Sequence, residues 1–384
     1  MKKICVVIGS RANYSSIKSA MLAIEKHKNL ELQIVVTASA LLNRYGNVAE
    51  LIEKDGFTIN ERIYFLLEGE TPLLMAKSTG LGLIEISSVF ERISPDIVIT
   101  VGDRFETMST VIAASYMNIP IAHTMGGEVT GTIDESIRHA VTKMSHIHFP
   151  ASKDAFDRIV KLGEPSELIF NVGCPRIDLV SDILNEFESQ DLEEIFDIGV
   201  GSKFDLNKPF IIVSQHPVTT EYGNGEFQIE STLKAIRNIN LPAIVLWPNA
   251  DAGSDDIAKG IRKWREKGLG NNMHFFKNLP VEVYIKLMNK TSCLVGNSSS
   301  GVREGAFIGT PVVNIGSRQN NRERGVNVID VDQNHINIFN GIKKQLNNGK
   351  YKKDFIYGDG QAGKKIAKIL ANLPEINPQK CITY

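Results

Sequence analysis

What most constrains this chain is a rhythm. Short runs of apolar, largely β-branched residues recur along it, and each gives way to a stretch with helical periodicity. In the first half the runs are Ile4–Ile8, Leu32–Thr37, Ile97–Val101, Ile119–His123, Ile147–Phe149 and Leu168–Val172. In the second half they are Phe210–Ser214, Ala243–Trp247, His274–Phe276, Cys293–Val295 and Val312–Ile315. Continuous rather than alternating apolar strands belong to a sheet covered on both faces. Strand–helix alternation then requires parallel sheets with right-handed crossovers, an α/β fold. The rhythm breaks once, where Cys174–Pro175 leads into an acidic helical stretch and the polar loop Gly199–Pro209. The 384 residues suffice for two domains of ordinary size. The expected division is 1–172, then 173–360 including a junction at 173–209. An amphipathic helix at Gln361–Leu373, stopped by Pro374, opens a C-terminal segment, 361–384, that is expected to join the first domain. Doubly wound domains of this kind, facing a cleft, bind ligands at the carboxyl ends of their strands. The chemistry should therefore sit just after the apolar runs.

Charge narrows the field of partners. Lys plus Arg number 43 and Asp plus Glu 44, giving 43 − 44 = −1, so no polybasic surface calls for nucleic acid or anionic lipid. An anionic ligand must be held by local devices. The four cysteines, Cys5, Cys174, Cys293 and Cys381, have neither disulfide-framework nor metal spacing, which predicts reduced thiols and a cytoplasmic protein. The N-terminal apolar run ends after five residues at Gly9, too short for a signal h-region, and reads as a first strand. No apolar stretch approaches 18 residues, so no membrane span is expected.

Several strand ends carry dense polar chemistry. GSRANYSS (Gly9–Ser16) follows a strand and opens a helix, but Arg11 stands where the dinucleotide fingerprint needs a glycine. An Arg with hydroxyls at such a turn suits a phosphate; a simple helix cap explains it equally well. GDRFE (Gly102–Glu106) sends Asp103 out from the end of the PDIVIT strand. HTMGGEVTGTIDESIRH (His123–His139) combines a glycine-rich loop with a capped helix start, where Asp134 and Arg138 share a face four residues apart. In the second half, SQHPVTTEYG fixes His216 beside Pro217, and WPNADAGS offers Asn249. GNSSSGVREGAFIGTPVVNIGSRQ presents consecutive hydroxyls at an expected helix N-terminus, suited to a diphosphate, with Glu304 one turn further on, placed for a ribose.

Taken together, GSRANYS, GDRFE, GGEVTGTIDESIRHAVTK, QHPVTT, PNADAGS and GNSSSGVRE…GTPVVNIGSRQ resemble, in order and across nearly the whole chain, the hydrolysing UDP-N-acetylglucosamine 2-epimerases. The resemblance implies the GT-B fold: two Rossmann-like domains facing a cleft, with a C-terminal helix returning to the first. It further implies that Arg11, Ser15, His216, Asn249, Ser298, Ser299, Glu304 and Arg318 hold UDP. Asp103, Asp134 and Arg138 would line the sugar pocket, together with His123 and the position of Met125. The chain departs from the family there: Met125 stands where a glutamate of the motif is usual, and Asn13 where an aspartate is usual. Either Glu128 or a water held by the two aspartates takes the part of that glutamate, or the carboxylate is dispensable. Met125 could equally mark another sugar, such as that of UDP-N,N′-diacetylbacillosamine.

The reaction implied is elimination of UDP to a 2-acetamidoglycal, then hydration with the opposite C2 configuration, as in an early step of sialic-acid-type sugar synthesis. A C2 hydrogen is so weakly acidic that only a positioned base, with UDP departing together, removes it. The expected acid–base set is Asp103 and Asp134, with Glu128 a further candidate. His216, Arg318 and the serine turn would stabilise the departing diphosphate. No cofactor and no metal is expected, and the partners reduce to a UDP-sugar and further copies of the chain, as a dimer or tetramer. A GT-B glycosyltransferase and an inactive UDP-sugar-binding protein are the readings of other classes.

Overall fold

The computed structural model describes every residue except 44–45, 69–71, 130–133, 187–191, 249–252 and 384. Its described residues form two compact units, one built from 1–129, 134–179 and 358–383, the other from 180–357.

The first unit is built on a parallel sheet of β1 (Lys2–Ile8), β2 (Leu30–Thr37), β3 (Glu61–Ile63), β4 (Ile97–Val101), β5 (Ile121–Thr124) and β6 (Ile147–Phe149), in the order β3-β2-β1-β4-β5-β6. Register is set by apolar matching: Val6 lies beside Ile34 on one side and Ile99 on the other. Successive β1 side chains enter opposite cores. Ile4, Val6 and Ile8 pack with Ile17, Met21 and Ile24, whereas Cys5 and Val7 pack with Ile86, Phe90 and Val111. That is why the run is apolar at every position rather than at every second one.

The second unit repeats the plan with β7 (Val200–Gly201), β8 (Ile211–Ser214), β9 (Ala243–Leu246), β10 (Met273–Phe276), β11 (Cys293–Gly296), β12 (Val312–Ile315) and β13 (Val328–Val331). The order is β13-β12-β11-β8-β9-β10-β7, parallel except for the short edge strand β7, which runs antiparallel to β10. In both sheets the order reverses once, between β1 and β4 in the first and between β8 and β11 in the second.

Four sequence expectations change here. Leu168–Val172 is no strand: Ser166–Leu168 forms a 3₁₀ turn, and the segment's pairing with the sheet is an isolated bridge between His148 and Ile169. β3, β7 and β13 carry no continuous apolar run, because all three are edge strands with charged or exposed residues. The division of the chain falls after residue 179, inside the helix Pro175–Asn185, rather than at 173. Finally, Leu73–Ile93 of the helix Pro72–Ile93 reaches a mean hydropathy of 1.3 over an 18-residue window, long and apolar enough by composition to cross a membrane. Ile86, Val89 and Phe90 on it are buried in the core of the first sheet, as in a helix that covers a sheet.

The last helix, Ala362–Asn372, belongs to the first unit. Gly363 lies so close to the neighbouring helix Lys18–Glu25 that a Cβ on it would stand 2.5 Å from the Ser19 carbonyl carbon. Asp178 caps it, its carboxylate accepting from the Ala362 N–H at 2.9 Å, the Gly363 N–H at 2.7 Å and the Ser19 hydroxyl at 2.9 Å.

Candidate active site

In the first unit the sheet's reversal is bridged by an amide. Asn13 Nδ2 donates to the Val101 carbonyl at the end of β4 (3.0 Å), and its Oδ1 accepts from the Gly9 N–H after β1 (3.2 Å). One residue beyond Gly102, Asp103 forms an ion pair with Arg138, which is 4% exposed, from the helix Asp134–Met144. Arg138 Nη1 also donates to the Glu128 carbonyl at 2.9 Å. One guanidinium thus gathers the β4 loop and the glycine loop after β5, and Asp134 opens the helix that carries it. Glu128 meets Arg138 through its main chain, and it is buried. The loop turns tightly because Gly127, at φ 74°, lies where a Cβ would strike the Ala155 carbonyl oxygen at 2.3 Å.

His123, expected to line the sugar pocket, is fully buried instead. Its Nε2 donates to the Gly102 carbonyl at 2.8 Å, a tautomer fixed by the acceptor, and Nδ1 accepts from the Thr142 hydroxyl at 3.2 Å. Burial lowers its pKa to about 3, so a neutral ring braces the Asp103 loop from below. Met125 is half-buried against the sheet's apolar core in a left-handed conformation (φ 62°), and its N–H donates to the Phe149 carbonyl at 3.1 Å. Arg11, exposed, and Ser15, whose hydroxyl receives a 3.4 Å contact from Arg176, lie on the helix after β1.

In the second unit the equivalent reversal is again bridged by an asparagine, one that the motif reading passed over. Asn297 Oδ1 accepts from the His216 N–H at 2.7 Å, and its Nδ2 donates to the His216 carbonyl at 2.9 Å. The Asn297 carbonyl in turn accepts from Arg318 Nη1 at 3.2 Å and Gln319 Nε2 at 2.9 Å. His216 and Arg318 are therefore drawn to one residue. Gly296 permits it: at φ 138° a Cβ there would stand 2.1 Å from the Ser214 carbonyl oxygen. His216 is buried, and burial, then the Arg318 charge, lowers its pKa to about 3. It is a neutral hydrogen-bonding group at neutral pH, not a cation.

The serine turn differs from expectation. Ser298 caps only a four-residue helix, Ser299–Val302, and a new one, Glu304–Ile308, begins after Arg303. So short a helix carries little macrodipole, and what the turn offers is hydroxyls and local N–H groups. Ser298 Oγ lies 2.8 Å from Ser300 Oγ, which meets the Tyr284 hydroxyl at 2.7 Å. Glu304 opens the second helix and is 2% exposed. Asn249 lies outside the described residues.

Comparison with known proteins places this geometry. The family model for UDP-N-acetylglucosamine 2-epimerase matches residues 22–371. A Legionella pneumophila protein named UDP-N,N′-diacetylbacillosamine 2-epimerase (hydrolyzing) is 35% identical over 97% of both chains. A Campylobacter jejuni protein named GDP/UDP-N,N′-diacetylbacillosamine 2-epimerase (hydrolyzing) is 33% identical over 87% of this chain and 85% of its own. Among solved structures, the UDP-GlcNAc 2-epimerase from Neisseria meningitidis bound to UDP-GlcNAc superposes with a TM-score of 0.82, at 18% identity, over 96% of this chain and 99% of that one. The fold is thus of the GT-B type. With the family model spanning most of its length, the chain belongs to the UDP-N-acetylglucosamine 2-epimerase family.

Proposed function

We propose that this chain is a hydrolysing UDP-sugar 2-epimerase, releasing UDP and a free 2-epimerised 2-acetamido sugar. The observation that carries the reading is the Asp103–Arg138 pair at the reversal of one sheet, together with the His216–Asn297–Arg318 group at the reversal of the other. The first set acts on the sugar. A carboxylate, Asp103 or Asp134, takes the C2 proton, the C–H electron pair forms the C1–C2 double bond, and the C1–O bond breaks with its pair leaving on UDP. Water then adds its hydroxyl at C1, and a proton is delivered to C2 from the opposite face. Glu128 is a third candidate for that proton.

The second set holds the nucleotide. Arg318 places a permanent charge on the diphosphate, His216 a neutral N–H donor, and Ser298 and Ser299 hydroxyls. Glu304 and Asn249 complete the set of the second unit, and Arg11 and Ser15 are the UDP contacts proposed for the first.

Two sugars suit the site. The 2,4-diacetamido-6-deoxy sugar is favoured by the names of the relatives at 35% and 33% identity, and by the apolar Met125 at the position where a glutamate of the motif is usual. The alternative is UDP-GlcNAc, yielding ManNAc. A glycosyltransferase has less support, since the family match is to epimerases. Incubation with each UDP-sugar, followed by separation of nucleotide from free sugar, tests the reading; intact UDP-sugar in both incubations overturns it.

The assembly is a homo-oligomer, dimer or tetramer, supported by the apolar stripe on Pro72–Ile93, where Leu73 and Ile84 are each 64% exposed. Light scattering of the eluted protein tests that. Three of the four cysteines, Cys5, Cys174 and Cys293, are buried, which suits the reduced thiols of a cytoplasmic protein.

A further inference from the structure

Glu106 stands three residues after Asp103, on the first turn of the helix Phe105–Tyr116, and is 3% exposed. Its Oε1 accepts from Arg104 Nε at 2.8 Å. Its Oε2 is buried and has no hydrogen-bond partner among the described residues. The side chain lies across the turn after β1, so close that a Cβ on Gly9 would stand 2.4 Å from Glu106 Cγ and 2.9 Å from Oε1. Gly9 follows β1 and Glu106 follows β4, the two strands between which the sheet reverses and where sheets of this kind take their ligands.

A carboxylate only accepts, and native proteins seldom leave a buried acceptor unmatched without a use for it. Two donors at this turn are committed elsewhere: the Gly9 N–H to Asn13 Oδ1, and Asn13 Nδ2 to the Val101 carbonyl. A ligand bound at the reversal of the sheet would bring such a donor. A diphosphate supplies none at neutral pH and is repelled by a carboxylate. An amido sugar supplies several, in its acetamido N–H and its hydroxyls.

We propose that Glu106 is a further substrate-contacting residue, its Oε2 accepting a hydrogen bond from an N–H or O–H of the sugar. This rests on the reading of the chain as a UDP-sugar enzyme, and the test separates the two. Glu106→Gln keeps the shape and an oxygen for Arg104, but presents an NH₂ group where Oε2 stood. Calorimetry with UDP, and with the uncleavable methylene-bridged analogue of UDP-GlcNAc, reads the sugar's share of affinity. The expected result is unchanged UDP affinity and analogue affinity lowered about tenfold or more, the scale of a hydrogen bond to a charged group. If the wild type prefers the analogue and Glu106→Gln keeps that preference in full, Glu106 is scaffold and the proposal falls alone. If the wild type binds neither ligand, the functional reading falls and the proposal with it. Should Glu106→Gln fail to melt as a folded protein, the wild type still decides through analogues each lacking one sugar donor. One of them must bind about tenfold more weakly, and equal affinity across the series overturns the assignment.

Discussion

Arg138 is ion-paired to Asp103 while donating to the Glu128 carbonyl at 2.9 Å, so a single buried guanidinium fixes the loop after β4 against the loop after β5. The pair sets where the Asp103 carboxylate can stand. Proton transfer depends steeply on that position.

If Asp103 and Asp134 move the C2 proton, Asp103→Asn and Asp134→Asn should each lower turnover by ~10²–10⁴. UDP affinity should hardly change, because neither aspartate belongs to the set proposed for the nucleotide. Steady-state rates beside calorimetric UDP binding check both halves. A variant that loses UDP affinity in step with rate would move that aspartate to the nucleotide.

Arg318 donates to the Asn297 carbonyl and is half-buried, so a diphosphate within its reach would meet a permanent charge at modest desolvation cost. Charge-assisted contacts contribute about 1.5–3 kcal/mol each. Arg318→Ala should therefore weaken UDP binding by about one to two decades. Equal UDP affinity in Arg318→Ala and the wild type would remove Arg318 from the site.

Much of this architecture was legible in the sequence because burial on both faces leaves its mark on every residue of a strand. Ile97–Val101 is the clearest case. Edge strands escaped the same reading: Glu61–Ile63 carries two charged residues in three, and Val328–Val331 is nowhere fully buried. Motif spacing led to Asp103, His216 and Arg318, which are polar residues just past strand ends, and to Arg138 on the helix Asp134–Met144. It could not separate His123, a brace, from a pocket residue, since an imidazole at a strand end reads alike whether it faces ligand or core. Nor could it assign a bridging role to Asn13 or Asn297, since that role depends on which strands lie side by side across the reversals. That information resides in the topology and not in the local pattern.

The cap on the last helix gives a stability prediction. Asp178 is 5% exposed and accepts from two backbone N–H groups and a hydroxyl. Asp178→Ala leaves buried donors unmatched and should cost about 3 kcal/mol of the first unit's stability. Amide exchange should rise first in Ala362–Asn372. Slow exchange there in the variant would mean that the helix is held by its apolar face alone.

Acid should destabilise the fold through its buried neutral histidines. His123 and His216 have pKa values of about 3 when folded, against about 6.5 in an unfolded chain. Below pH 6.5 the unfolded chain binds more protons, so stability falls as pH drops from about 6.5 towards 3. Between pH 7 and 5 each histidine should remove roughly 2 kcal/mol. Glu164, lowered to about 2 through His148, Lys143 and Lys380, adds a loss of its own below about pH 4.5. Urea midpoints at pH 7 and pH 5 read the first effect, and identical midpoints would show that the two rings are not held neutral.

The chemical route makes the most exposed claim. Elimination removes the C2 hydrogen to a protein carboxylate, and hydration returns a hydrogen to C2 from the other face. A carboxylate near solvent exchanges its proton quickly, and Asp103, with its side chain 21% exposed, is not sealed from water. The hydrogen restored should therefore come from solvent, and turnover in D₂O should give a free sugar with deuterium at C2 in nearly every molecule. A route that cleaved only the glycosidic bond would leave C2 untouched, with its original configuration and hydrogen. An epimerised product without deuterium would instead require one sealed group to carry the same proton across both faces. Asp103 and Asp134 could not then be the acid–base pair, and the buried Glu128 would be the carboxylate to test next.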